Sequence, residues 1–194
     1  LKRDGLPQNS VISLAQTADG FLWVGTYEGL ARFDGTSFTI FNRFTTPAIT
    51  AKFVQSLCAA ADSTLWIGMG GGGLVRYRDG IFTKVVLPGE AGSVGVGPIF
   101  QDNDGLVWAS TTLGLACFQG DSLRRMYTTV DGLPQNFVTG ITEGGDGNLV
   151  AAAAGKLVVL QGGCFVPHPL AEEITDRVRL LASDRRGGLW IGLW

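Results

Sequence analysis

Histidine is almost missing from this sequence: among its 194 residues His168 stands alone, and cysteine occurs three times, at Cys58, Cys117 and Cys164. Those spacings match no zinc motif, and an odd cysteine count with one histidine argues against a disulfide framework. The cysteines sit in apolar surroundings and read as small buried hydrophobes. No metal and no cofactor is therefore expected. Charge is also scarce, 16% of residues with a net of −2. No Lys/Arg cluster exceeds a pair, and the doublets Arg124-Arg125 and Arg185-Arg186 read as solvated. A nucleic-acid surface shows a basic stripe, so that partner is not expected. No apolar run is long enough to span a bilayer. The chain opens at Leu1 with neither an initiator Met nor a signal peptide, and it stops on Trp194. It reads as a fragment.

What the sequence has is apolar character, 45% hydrophobic, and 29 glycines with no collagen period. Many short apolar runs broken by Gly point to a β-rich chain with many tight turns. The hexapeptide DGLPQN occurs at 4–9 and again, letter for letter, at 131–136. Trp-centred phrases explain the offset. FLWVGT at 21–26, TLWIGM at 64–69, LVWAST at 106–111 and GLWIGL at 188–193 place Trp23, Trp66, Trp108 and Trp190 on a repeat of 40–43 residues. The fourth copy, NLVAAA, carries Val150 where the Trp would fall. The two hexapeptides lie three repeat lengths apart.

Each copy has one grammar. An apolar run comes first, at 11–16, 53–59, 97–102, 138–143 and 178–184. A turn follows at Asp19-Gly20, Asp62-Ser63, Asp104-Gly105, Asp146-Gly147 or Gly187-Gly188, then the Trp run. A second turn leads to GLARF, GLVRY, GLACF or GKLVVL, and a third to a run opened by Phe38, Phe82, Leu123 or Phe165. Runs this short at 8–12 residue spacing predict strands and leave no room for helices. The Trp runs are apolar at successive positions, as in strands buried on both faces. Four strands per unit, repeated every ~42 residues, match the blade of a β-propeller. Gly25, Gly68 and Gly192 follow the tryptophans and predict close backbone approach.

The stretch at 4–38, the second DGLPQN with 137–143, and the segment 62–82 resemble the two-component regulator propeller repeat. The resemblance covers nearly the whole chain and fades in the fourth unit, where 150–154 depart from the Trp-Ile-Gly-Thr phrase. It implies a sensor: a periplasmic propeller ahead of a membrane span and a histidine kinase or diguanylate cyclase. The expected fold is an all-β, partial (open) β-propeller of about four and a half four-stranded antiparallel blades. Repeats are expected at about 4–46, 47–89, 90–130, 131–172 and 173–194, the last incomplete. The expected function is that of a non-catalytic fragment of an extracytoplasmic ligand-sensing receptor. The expected partners are a small-molecule or oligosaccharide ligand, the remaining blades of the parent chain, and a second receptor copy. A carbohydrate-active propeller enzyme and a protein-interaction propeller are the alternatives.

Antiparallel topology sorts the loops onto two faces. With strands a to d, the a–b turns are uniform Asp-Gly or Gly turns and carry turn chemistry. The b–c turns and d–a connections vary, and binding residues concentrate on variable loops held by a rigid scaffold. There Tyr27 and Trp194, each four residues after a repeat Trp, are candidates to offer flat faces to a ligand such as a sugar ring. Glu28, Gln8, Asn9, Gln135 and Asn136 are candidates to hydrogen-bond it. The plain alternative is that the aromatics cover loop backbone and DGLPQN is a structural junction. Trp23, Trp66, Trp108 and Trp190, with Asp19, Gly20, Asp104, Gly105, Asp146 and Gly147, are assigned to the repeat framework, because a catalytic residue would not recur in every blade.

Three other signals weaken in context. The glycines at 68–73 satisfy G-x-G-x-x-G but precede a strand-like LVRY rather than a helix. Arg32 and Arg76 hold equal places in strand c and read as structural ties, paired with a turn Asp. Glu28, Glu90, Glu143, Glu172 and Glu173 are the carboxylates outside turns. Nothing pairs any two of them across a cleft, as glycoside chemistry would need.

Overall fold

The computed structural model describes residues 5–89, 93–174, 176–184 and 186–193. Asp4, Glu90, Arg185 and Trp194 lie outside that set. The chain forms four four-stranded antiparallel sheets and a two-stranded one, each in sequence order. Blade 1 holds β1 (Val11–Gln16), β2 (Leu22–Thr26), β3 (Gly29–Phe33) and β4 (Phe38–Phe41); blade 2 holds β5 (Val54–Ala59), β6 (Leu65–Met69), β7 (Gly73–Arg78) and β8 (Ile81–Val85). Blade 3 holds β9 (Val96–Gln101), β10 (Val107–Thr111), β11 (Gly114–Gln119) and β12 (Ser122–Tyr127); blade 4 holds β13 (Val138–Glu143), β14 (Leu149–Ala153), β15 (Lys156–Gln161) and β16 (Cys164–Pro167). Blade 5 is represented by β17 (Val178–Ser183) and β18 (Leu189–Leu193). This is the all-β partial propeller that the repeat predicts. Two short 3-10 turns, Thr129–Asp131 and Pro169–Glu172, interrupt the d–a connections. They were not foreseen, although Thr128 and Asp131 form a capping box.

The chain divides into two compact units, residues 1–99 and 100–194. In the first, the core gathers Trp23, Leu30, Val54, Leu65, Ile67, Met69 and Val75. Trp23 is fully buried. Its ring lies 5.7 Å from Phe41 in its own blade, and 4.7 Å from Tyr77 and 6.3 Å from Phe82 in the next. Burying side chains of this size contributes roughly 1.5–3 kcal/mol each. Gly68 leaves the space the next blade fills, because a Cβ there would stand 2.2 Å from Ser56 Oγ and 2.7 Å from a Val96 methyl. Ser56 Oγ in turn donates to the Gly97 carbonyl at 2.6 Å.

In the second unit Trp108, Leu115, Tyr127, Val138, Ala151 and Phe165 share one core, and Val150, Leu157, Val178 and Leu181 another. Here Ser110 holds the place of Gly68, and its Oγ accepts the Val138 amide at 2.8 Å. Trp190 departs from the buried Trp23, Trp66 and Trp108 and is 67% exposed. The partners that bury Trp23 come from strand d and from the following blade, and blade 5 has two strands here.

The a–b turns share one geometry. Gly20, Ser63, Gly105, Gly147 and Gly187 donate to Thr17, Ala60, Asp102, Gly144 and Asp184 carbonyls. All five close with positive φ. In blades 1, 3 and 5 the residue six before the Trp ties its indole: Trp23 Nε1 donates to Thr17 Oγ1 at 3.0 Å, Trp108 to Asp102 at 2.7 Å and Trp190 to Asp184 at 3.3 Å, while blade 2 has Ala60 there. Thr17 passes the bond on to Asp19 at 2.5 Å. In blade 3 the tying carboxylate is therefore Asp102, while Asp104 is exposed. In blade 4 the indole and its tie are lost together, to Val150 and Gly144. Asp146 there accepts from the Asn148 amide and side chain, which holds its carboxyl below the usual range.

Two sequence expectations change. Arg32 does not pair with a turn Asp: it donates to Tyr77 Oη at 3.1 Å and lies 4.2 Å over the Phe21 ring. Arg78, at the end of strand c in blade 2, does meet a turn Asp, 3.5 Å from Asp62. The three cysteines also differ from one another. Cys117 is buried, Cys58 half-buried and Cys164 exposed, because Cys164 opens an outermost strand. Burial, with Asp102 adding to it, pushes the Cys117 thiol up to about 11. The thiolate is the reactive form. Iodoacetamide at pH 8 is therefore expected to label Cys164 in the folded protein and Cys117 only on unfolding, as peptide mapping would show. Equal labelling would contradict this packing.

Candidate functional site

The b–c turns and d–a connections of the first unit build a cleft of about 650 Å³ lined by Pro7, Gln8, Glu28, Ile40, Asn42, Arg43, Phe44 and Lys52. Thr26 Oγ1 donates to the Gly29 carbonyl at 2.8 Å and accepts the Glu28 amide at 3.2 Å, closing the b–c turn that presents Tyr27 and Glu28. Glu28 reaches Lys52 of the next d–a connection at 2.9 Å. Both side chains are about half exposed, so the pair contributes little stability. Beside it Tyr27 stacks on Phe53, with centroids 4.7 Å apart and planes 19° apart. Tyr27 keeps 49% of its surface exposed.

The loop that brings Asn42, Arg43 and Phe44 to the cleft bonds to itself. Asn42 Oδ1 accepts the amides of Phe44 at 2.9 Å and Thr45 at 3.2 Å. The Asn42 carbonyl accepts Thr46 N at 2.8 Å. That self-bonded turn holds Arg43 and Phe44 at its tip. The Arg43 guanidinium lies 4.7 Å over the Phe44 ring. Phe44 is 82% exposed. Gln8 Nε2 donates to Ser10 Oγ at 3.4 Å, while Gln8 Oε1 is shielded from solvent and accepts nothing.

The sequence candidates thus part company. Gln8 and Glu28 line one cleft, with Tyr27 next to Glu28, and Asn9 is exposed nearby in sequence. Gln135 and Asn136 belong to the second unit and bond local backbone. Gln135 Nε2 donates to the Phe137 carbonyl at 2.8 Å, and Asn136 Oδ1 accepts Thr129 N at 3.1 Å. The same junction uses Asp131, which accepts Thr128 N at 2.9 Å and Arg125 at 2.6 Å. Those bonds hold its carboxyl below the usual range. Arg43, Phe44 and Lys52 were missed from sequence. The signal was available in Asn42-Arg43-Phe44-Thr45, an Asx-turn start carrying a cation and an aromatic.

The a–b face also holds a cleft in the second unit, of about 780 Å³, lined by Asn103, Glu143, Asp146, Ser183 and Asp184 among others. Its polar groups are engaged. Both Glu143 oxygens accept from Asn103, each at 2.7 Å, and Asp184 accepts the Arg186 and Gly188 amides. Among the described residues no cluster of three or more His, Cys, Asp or Glu could hold a metal. The glycine-rich stretch at 70–72 is packed rather than open, since a Cβ on Gly70 would meet the Phe53 ring at 2.4 Å.

His168 caps the second 3-10 turn, its Nδ1 accepting Leu170 N at 3.1 Å. Burial lowers its pKa from the ordinary 6.5 and Asp146 opposes the shift. The unfolded chain then takes up the proton first, so stability is expected to fall as pH drops below about 6.5. The loss is a cap's worth, ~1 kcal/mol or less. Thermal melts at pH 7.5 and 5.5 would show it. His168→Asn, which caps without titrating, should flatten that difference, and an unchanged slope would count against the cap.

The family model described as two component regulator propeller matches residues 5–28. Blade 1 carries a two component regulator propeller repeat. A histidine kinase of Formosa agariphila, P4, is 55% identical over 38 residues, which is 20% of this chain and 3% of that protein. Among solved structures, the extracellular domain of BT3049 from B. thetaiotaomicron, described as a hybrid two component system, superimposes with a TM-score of 0.84 at 19% identity. The alignment covers 97% of this chain and 26% of that one. Virginiamycin B lyase from Staphylococcus aureus superimposes with a TM-score of 0.72 at 18% identity, covering 97% of this chain and 66% of the lyase. At such identities the likeness shows the propeller fold alone. The regulator repeat matched at 5–28 includes Gln8, Tyr27 and Glu28, so the matched stretch supplies part of the cleft. No described helix is long and apolar enough to cross a membrane.

Proposed function

We propose that this chain is part of an extracytoplasmic, ligand-sensing propeller of a bacterial two component receptor, and that the cleft beside Glu28 takes its ligand, a saccharide. The propeller is non-catalytic and periplasmic, the sensing part of an inner-membrane protein whose output is a kinase or cyclase. It works in an intact receptor that self-associates. The observation that carries this reading is the regulator repeat at 5–28, in the blade that also contributes Gln8 and Glu28 to the cleft. The shared fold of sensor extracellular domains supports it. Physically, blades hold the cleft rigid while its walls come from two d–a connections and a b–c turn, so a bound ligand would bridge neighbouring blades.

Tyr27→Ala and Glu28→Ala in the full-length receptor, read by a reporter of its output, test the proposal. Loss of the ligand response at unchanged receptor level is expected; a full response would remove both residues from the site. An enzymatic reading lacks a site by comparison. Glu28 is the one carboxylate lining the cleft and it is paired with Lys52, while His168 is used as a cap.

A further inference from the structure

We infer that the cleft selects an anionic saccharide, its ring lying on Phe44 and its acidic group held by Arg43 with Lys52 close by. This rests on the ligand-sensing reading and adds the ligand's charge. Two observations carry it.

The first is the loop tip. Phe44 is 82% exposed although its backbone is fixed by Asn42, so its exposure is built in. A large aromatic held at a rigid tip loses little entropy when a sugar ring or other flat face covers it. The second is charge. Glu28 is matched by Lys52 at 2.9 Å, whereas Arg43 makes no ion pair with any described residue and rests on the Phe44 ring. The cleft therefore carries Arg43, Lys52 and one carboxylate, a net positive lining. A guanidinium that rests on a ring and has no carboxylate partner keeps N–H donors for a carboxylate or sulfate, which Arg can engage through two parallel bonds. An aromatic platform and a cation fork thus line one cleft, and an acidic sugar is the ligand class that uses both.

The test is direct binding to the purified full-length protein by titration calorimetry. The probes are oligogalacturonate for a carboxylate, a sulfated dextran oligomer for a sulfate, and a neutral galactan oligomer. At least one anionic probe is expected to bind at least tenfold more tightly than the neutral one, with affinity falling as salt rises. Arg43→Gln and Phe44→Ala should each weaken it at least tenfold, while Arg124→Gln, an exposed arginine elsewhere, should not. Which anionic probe binds tells carboxylate from sulfate. Equal binding of neutral and anionic probes, or full binding by Arg43→Gln, would overturn the charge selection while leaving the sensor reading standing. No binding by either anionic probe would overturn it too. Charge-selective binding with no change in receptor output would uphold this inference and count against the signalling role.

Discussion

Replacing Trp23 with alanine is expected to cost about 3–5 kcal/mol of stability, the range for deleting a large buried aromatic. Trp23 is fully enclosed, and the rings that enclose it belong to two blades, Phe41 in one and Tyr77 and Phe82 in the next. The change therefore opens a cavity between blades and removes the indole N–H that Thr17 Oγ1 accepts. Trp190→Ala makes the same change at the equivalent position, yet that ring is 67% exposed. It is expected to cost about 1 kcal/mol or less in this chain. Urea midpoints of the two variants, measured side by side, check the pair. Equal losses would mean that tryptophan burial between blades is not what stabilises the repeat.

Gly132→Ala is expected to cost about 3 kcal/mol or more, from adding a strained left-handed residue to a steric overlap. Gly132 has φ of 93°, and a Cβ there would stand 2.1 Å from the Phe165 carbonyl oxygen. That oxygen is main chain in β16 and cannot step aside without moving its strand. Gly20→Ala is the control: φ is 89°, but nothing lies within 4 Å of the added methyl. Only the backbone strain of ~1–2 kcal/mol should appear there. Thermal or chemical denaturation distinguishes the two, and a Gly132→Ala loss no larger than that of Gly20→Ala would refute the close approach. The result also bears on why DGLPQN recurs. In the first copy a Cβ on Gly5 would come 3.4 Å from Phe38, the residue opening strand d of its own blade, as Phe165 lies within strand d of blade 4. Asp131, Gly132, Gln135 and Asn136 all serve the junction into β13. Their local bonds support the structural account of the phrase in the second unit.

Strand positions were legible because a strand's needs are local. The five a-strands and the Trp strands begin and end within a residue or two of the apolar runs, since turn residues with positive φ must separate them. β2, β6, β10 and β14 are nearly wholly buried, as their unbroken apolar character required. Partner choice was not legible. Arg32 reads as a charge wanting an Asp, but the space within reach holds Tyr77, Phe21 and Trp23. Cys164 reads like Cys117 because both sit among apolar residues, and only the order of strands in the sheet puts one outside.

The candidate site divides the same way. Glu28 and Gln8 stood out in the sequence because they lie on the variable loops of one face, and the structure places both on the lining of one cleft. Arg43, Phe44 and Lys52 did not stand out, because each looks ordinary in its own segment.

The sequence alone determined the module: its length, its four strands, its turns and the residues it buries, because periodicity and positive-φ turns act over a few residues at a time. Tertiary structure alone decided which loops share a cleft, that Trp190 is exposed while Trp23, Trp66 and Trp108 are buried, and that Arg32 meets rings rather than a turn Asp. Those depend on distances between segments tens of residues apart, which packing sets and local pattern does not encode.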